Sequence, residues 1–131
     1  MTRYLADTYA FIEAFTGNPR YARILRSGQV VTTAANVLEL HYSLLRREVP
    51  TEEAERLSRA TLRLVVDVPS EVALAAARTR FDINERHRAD GSRQRVSNVD
   101  AWGYEAARNL GLPFLTGDPV FKGLPGVAFV R

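Results

Sequence analysis

Four acidic residues occupy positions where a folded chain could set them to work together: Asp7 in "RYLADTY", Glu39 in "NVLEL", Asp100 in "SNVDAW" and Asp118 in "FLTGDP". Each also has a purely local explanation. Asp7 follows "RYLA", where a first strand should stop, and suits the cap of a helix beginning near Tyr9. Asp118 follows "FLTG" and suits a turn ahead of Pro119. Asp100 lies three residues after Ser97, the spacing of a capping box. Glu39 sits mid-helix beside Ala35 and Tyr42, away from the Val37 and Leu44 stripe. Periodicity leaves it either on a solvated face or in a polar pocket.

Their joint pattern points to one chemistry. Crowded carboxylates repel and resist ionising together unless a cation shares the site. Hard divalent ions take carboxylate and water oxygens, so an acid-only set favours Mg²⁺ or Mn²⁺. His41 and His87 stand alone and the chain has no cysteine, which leaves no zinc cluster and no disulfide. Neither a G-x-x-x-x-G-K-[ST] phosphate loop nor a G-x-S-x-G nucleophile elbow occurs.

For these acids to meet, the elements must alternate. "RYLAD" reads as a strand and "TYAFIEAF" as a helix ending near Gly17, with a short helix from Arg20 to Ser27 and a strand at "QVVTT". A helix from Ala34 to Arg47, capped by Thr32 or Thr33, is followed by the charged helix "TEEAERLSRATL". "RLVVDV" is a further strand expectation, and Pro69 and Ser70 open an alanine-rich helix running from Glu71 towards Arg80 or beyond. "NERHRADGSRQRVS" reads as polar and irregular. A last helix runs from Val99 to Leu110, stopped by Gly111, and "FLT" and "VAFV" complete the strands. The order predicts a single α/β domain over residues 1–131. Its central sheet is expected to be mainly parallel, with about four to five strands flanked by helices. In such folds ligands collect beyond the carboxyl ends of the strands, where Asp7 and Asp118 fall.

Composition sets the remaining bounds. The 131 residues, 46% hydrophobic and 25% charged, are those of an ordinary globular domain. No apolar run reaches the ~20 residues needed to span a bilayer. Asp7 and Glu13 interrupt the first segment, so it does not read as a secretory signal, and a cytoplasmic location with no membrane partner is expected. The net charge is +3, and Lys122 is the only lysine among 18 basic residues. Arginine forks suit phosphate, although genome composition explains the same bias.

Three stretches then carry a family resemblance through their residues, order and spacing: "YLADTYAFIEAF", "VTTAANVLEL" and "VSNVDAWGYEAARNLGLPFLTGDPVF". They resemble the PIN domain family, and within it the VapC-type toxins of type II toxin–antitoxin pairs. The likeness covers nearly the whole chain and is weakest between Val49 and Val96. It implies a Mg²⁺- or Mn²⁺-dependent endoribonuclease in which Asp7, Glu39, Asp100 and Asp118 are catalytic and Asp7, Asp100 and Asp118 hold metal. Thr116 matches a hydroxyl residue often found two positions before the last acid and is assigned to the substrate pocket. Arg86, Arg93 and Arg95, with Arg88, are expected to meet RNA phosphates, a solvated loop being the other reading. The resemblance also implies a cognate antitoxin and a homodimer. Tyr9 stands where Ser or Asn is often found, and Trp102 is bulky for its neighbourhood, which leaves pocket shape and substrate choice open. The competing reading is a catalytically inactive PIN-like module that binds RNA or protein.

Overall fold

A computed structural model describes residues 2–131. Its sheet is built from very short strands: β1 (Tyr4–Ala6), β2 (Val30–Val31), β3 (Phe114–Thr116) and β4 (Val127–Phe129). They lie in the order β2-β1-β3-β4, and every neighbouring pair is parallel. Helices α1 (Thr8–Phe15) and α2 (Pro19–Arg26) connect β1 to β2. Helices α3 (Ala34–Arg46), α4 (Thr51–Leu62), α5 (Val72–Ala89) and α6 (Asn98–Leu110) all lie between β2 and β3. The chain thus leaves β1 for one side of the sheet and returns to its other side. β1 and β3 therefore flank the point where the strand order reverses.

Strand alternation sorts the core into two layers. Leu5, Val31 and Phe114 join Ala76, Ile83, Ala101, Tyr104 and Phe121 in one buried cluster, on the side of α5 and α6. Ala6, Val30 and Leu115 join Ala10, Phe11, Tyr21, Leu40, Leu44 and Ala54 in the other, on the side of α1 to α4. With both faces covered, the strands read as unbroken apolar runs. Thr33 caps α3 by accepting from the Asn36 N–H at 3.2 Å. Ser97 caps α6, and Gly111, at φ 69°, closes it in the left-handed conformation that favours glycine. Among the described residues no helix is long and apolar enough to cross a membrane.

Two expected elements differ. "RLVVDV" forms no full strand: it contributes one parallel bridge, Thr32 to Val65, at the open edge beside β2. The Thr32 N–H donates to the Leu64 carbonyl at 3.0 Å and the Val66 N–H returns to Thr32 at 2.9 Å. Pro69, which has no N–H to give, lies just beyond. Helix α5 continues to Ala89, well into the stretch expected to be irregular. Its last turns are solvated and held by ion pairs such as Arg88 to Glu85 at 2.6 Å, so polarity there marks an exposed helix surface. Irregular chain begins only at Asp90.

Two glycines set how closely the layers approach. A Cβ on Gly117, just past β3, would lie 2.3 Å from the Val130 carbonyl oxygen and 2.9 Å from the Tyr21 hydroxyl. On Gly103, within α6, it would lie 3.1 Å from a Phe114 ring carbon and 3.3 Å from the Asn36 side chain. Gly117→Ala is expected to cost about 1–3 kcal/mol, because the obstacle is backbone. Gly103→Ala should fall within ~1 kcal/mol of wild type, since gained helix propensity offsets a mild squeeze. Urea unfolding of both variants without metal measures the contrast; equal midpoints would refute this account.

Candidate active site

The carboxyl ends of β1 and β3 place Asp7 and Asp118 side by side, with Thr116 between them. The Thr116 hydroxyl donates to Asp7 Oδ2 at 2.8 Å and accepts from the Asp118 N–H at 3.1 Å. Asp118 Oδ1 in turn accepts from the Val120 N–H at 3.1 Å and caps the short 3-10 turn Pro119–Phe121. Asp7 holds the N-cap position of α1 yet makes no side-chain cap bond. It is only 1% exposed. Asp7 Oδ1 is the one buried side-chain oxygen or nitrogen among the described residues that lacks a hydrogen-bond partner.

Helix α3 brings Glu39 in from one side. Beneath it lies a buried polar net that joins α1 to α3. The Thr8 hydroxyl donates to the Asn36 carbonyl at 3.3 Å and accepts from Asn36 Nδ2 at 3.2 Å. Thr33 Oγ1 donates to Asn36 Oδ1 at 2.6 Å. Asn36 and Glu39 are one helical turn apart, so a fixed Asn36 fixes the face on which Glu39 projects. Helix α6 brings Asp100 from the other side. Its Oδ2 accepts from the Ser97 N–H at 3.0 Å, and Ser97 Oγ accepts from the Asp100 N–H at 3.1 Å. The capping box is therefore formed, and the capping acid also faces the other carboxylates.

Electrostatics ties the four together. Burial first, then the charges of Asp100, Glu39 and Asp118, push the Asp7 carboxyl well above its ordinary range, with the Thr116 hydrogen bond opposing. Burial and Asp100 raise Glu39, against the pull of Thr8. Asp100 is raised by burial and by Asp118, while its bonds to Ser97 lower it. Such mutual repulsion operates only across short distances in a poorly solvated pocket. Among the described residues no three His, Cys, Asp or Glu side chains are drawn tightly enough to enclose an ion unaided. The oxygens present are of the type that takes a hard divalent cation with waters completing its shell.

The basic residues lie differently from the expectation of an arginine-rich loop. Arg86 and Arg88 stand on the final turn of α5. Arg93 and Arg95 belong to the loop before α6, where Arg95 Nη1 donates to the Ser92 and Gln94 carbonyls at 2.7 Å. Thr116 is fully buried with its hydroxyl committed on both sides, which suits holding Asp7 in place more than meeting a substrate. Tyr9 lies edge-on to Tyr21 with ring centroids 5.9 Å apart, and the pKa of its hydroxyl is raised by burial first and then by Glu13, with Asp118 a lesser cause. Thr8, Asn36 and Gly103 went unnoticed in the sequence. The only signal for them was the turn-by-turn alignment of Asn36 with Glu39.

The chain matches the PIN domain family over residues 4–127. No curated protein matches it. Solved structures of similar fold include a toxin–antitoxin complex from Klebsiella pneumoniae, 18% identical with a TM-score of 0.71 over 95% of each chain. Another is DNA-bound VapBC from Salmonella typhimurium, 18% identical with a TM-score of 0.68 over 99% of this chain and 98% of that one. A third is VapBC-5 from Mycobacterium tuberculosis, 24% identical with a TM-score of 0.56 over 100% and 99%. With the family matched from β1 into β4 and the parallel four-stranded sheet in place, this chain belongs to the PIN domain family.

Proposed function

We propose that this chain is a Mg²⁺- or Mn²⁺-dependent endoribonuclease, the toxin of a VapBC-type pair. The observation that carries the reading is the buried Asp7 carboxylate, whose Oδ1 has no partner and whose neighbours are three further acids. A buried, unpaired, repelled oxygen is costly in the protein alone and well suited to a cation. Mg²⁺ uses one or two carboxylates and retains several waters, so an open set of oxygens fits it better than a closed cage. Asp7 and Asp100 would hold the ion, with Asp118 as a further ligand.

When bound, the ion would help a water ionise for attack on a phosphodiester and offset charge growing on the phosphoryl oxygens. The chain's own residues do the rest. Thr116 holds Asp7 Oδ2, which leaves Oδ1 without a partner. Ser97 holds Asp100 Oδ2 in the same manner. Glu39, with its carboxyl raised by burial and Asp100, is poised to accept a proton from the attacking water. The similar structures include VapBC and toxin–antitoxin complexes, which supports a partner antitoxin, and an acidic pocket suits a cationic side chain from such a partner. A homodimer remains part of the same reading. An antitoxin encoded beside this chain should co-purify with it and raise its thermal midpoint, because binding only the folded state stabilises it. A lone chain that is soluble and harmless to growth would count against the toxin role.

The decisive assay is cleavage of total cellular RNA with Mg²⁺ or Mn²⁺, with EDTA as control. Asp7→Asn and Asp100→Asn should each lower cleavage by ~10²-fold or more, and the double variant should lose little beyond either single one. Because Asn retains an oxygen able to accept from Ser97 and removes a carboxylate that burial and Asp118 disfavour, Asp100→Asn should hold stability without metal level or raise it. A loss of a few tenths to ~1 kcal/mol is what a helix cap alone would give. Near wild-type cleavage by Asp100→Asn would reduce that residue to a helix cap.

The crowding has a signature of its own without metal. An acid whose folded-state pKa is raised contributes its stability below the unfolded value, about 3.9 for Asp, and loses it as pH rises through the folded value. Asp7 is such a group. In EDTA near neutral pH, Asp7→Asn should therefore melt above wild type, each 1 kcal/mol appearing as about 3–5 °C. The gap should shrink as pH falls towards about 4. Melts across that range test the sign; a gap that widens on acidification would contradict the crowding.

A further inference from the structure

Along α3, one helical turn beyond Glu39, the surface opens into a groove of about 520 Å³ lined by Glu39, Tyr42, Ser43, Arg46 and Arg47. The spacing places these side chains on adjoining turns of one face. Tyr42 is 60% exposed, and no core cluster claims its ring. The Arg46 guanidinium sits over that ring, 5.9 Å from its centroid. Arg47 Nε reaches back to the Ser43 hydroxyl at 3.4 Å. Neither arginine has a carboxylate partner among the described residues, whereas Arg56, Arg59, Arg78, Arg88 and Arg108 each do. A largely exposed aromatic ring beside two unneutralised guanidinium groups matches an unpaired base with its flanking phosphates. The groove starts at a catalytic acid, where a polyanion meets repulsion and needs compensating positive charge close by.

Resting on the nuclease reading above, we infer that Tyr42, Arg46 and Arg47 form a binding subsite for single-stranded RNA next to the acidic pocket. An unpaired base stacks on Tyr42, and neighbouring phosphates meet Arg46 and Arg47. The subsite sets which phosphodiester reaches Asp7 and Asp100, and it confines cutting to unpaired segments. Leu38 and Leu45 are also exposed on α3, so a protein surface is the competing use of this face. The polar and cationic lining of the groove favours RNA.

The test measures fluorescence anisotropy of a short labelled single-stranded RNA, and of the same strand in a duplex, with the full chain in EDTA over a salt series. Tyr42→Ala should weaken single-strand binding roughly 10-fold without altering the salt dependence, and Tyr42→Phe should restore it. The double variant Arg46→Ala with Arg47→Ala should reduce the slope of log K against log salt by about 1.4. Duplex binding should be insensitive to Tyr42. Wild-type affinity in Tyr42→Ala, equal losses for strand and duplex, or a wild type that binds no RNA would each overturn the subsite. A fall in sedimentation mass with RNA binding intact would overturn it too, in favour of a protein interface. The catalytic reading fails separately: wild-type chain that binds RNA through Tyr42 and leaves it uncut with Mg²⁺ or Mn²⁺ would sink the nuclease and keep the subsite.

Discussion

A carboxylate at the end of the central strand, out of reach of solvent and short of one hydrogen bond, organises the rest of this molecule. Left alone, Asp7 would be an expense to the fold: burial and three like charges all disfavour its ionised form. The single direct compensation among the described residues is the Thr116 hydroxyl, which fixes one carboxylate oxygen and leaves the other without a partner. Asp7 even forgoes the cap bond that its place ahead of α1 offers. A helix cap would have spent its oxygens locally. The geometry instead leaves one of them unspent among the described residues.

The sheet topology makes this position available. β1 lies inside the sheet, between β2 and β3, so its carboxyl end opens into the crevice where the strand order turns. Asp118 follows β3 into the same crevice, and α3 and α6 bring Glu39 and Asp100 to its sides. These two helices can approach because α6 carries Gly103 where its backbone meets Asn36 and Phe114. Gly117 does the same service beyond β3, where the chain passes under Tyr21 and Val130. The strands are three residues or fewer, so the sheet adds little rigidity by itself. The two apolar layers and the Thr8–Asn36–Thr33 net hold the crevice in shape.

Much of this arrangement was legible in the residues. Strand ends at Asp7 and Asp118 follow from apolar runs broken by acids, and the Ser97–Asp100 spacing names the start of α6. Glu39 was undecidable from periodicity, because its side chain lies on the boundary between buried and solvated faces of α3. Only contact with the neighbouring elements selects the pocket. The long reach of α5 was hidden for another reason. A helix whose closing stretch, Asn84 to Arg88, is all Asn, Glu, Arg and His shows no apolar stripe where it leaves the core, and its i,i+3 pairs resemble loop composition. "RLVVDV" shows the converse: β-branched residues signal a strand, yet with a partner on one side only the segment contributes a single bridge. Thr8, Asn36 and Gly103 act between elements far apart in sequence, and no local rule points to them.

At Asp100 the helix cap and the metal-holding role proposed for it are compatible. The capping box could be taken as a complete explanation of this residue, since both of its hydrogen bonds are present. Those bonds favour the ionised carboxylate, while burial and Asp118 favour the protonated one. The start of a helix adds partial positive charge on the same side of the balance as the bonds. The cap therefore offsets part of the penalty of placing an acid in a crowded, shielded pocket. It also uses Oδ2 alone, which fixes the carboxylate plane and leaves Oδ1 outside the capping box. A side chain that held a cation among three other acids, as proposed for Asp100, would need an anchor of this sort. Thr116 supplies the equivalent for Asp7, with one hydrogen bond to one carboxylate oxygen.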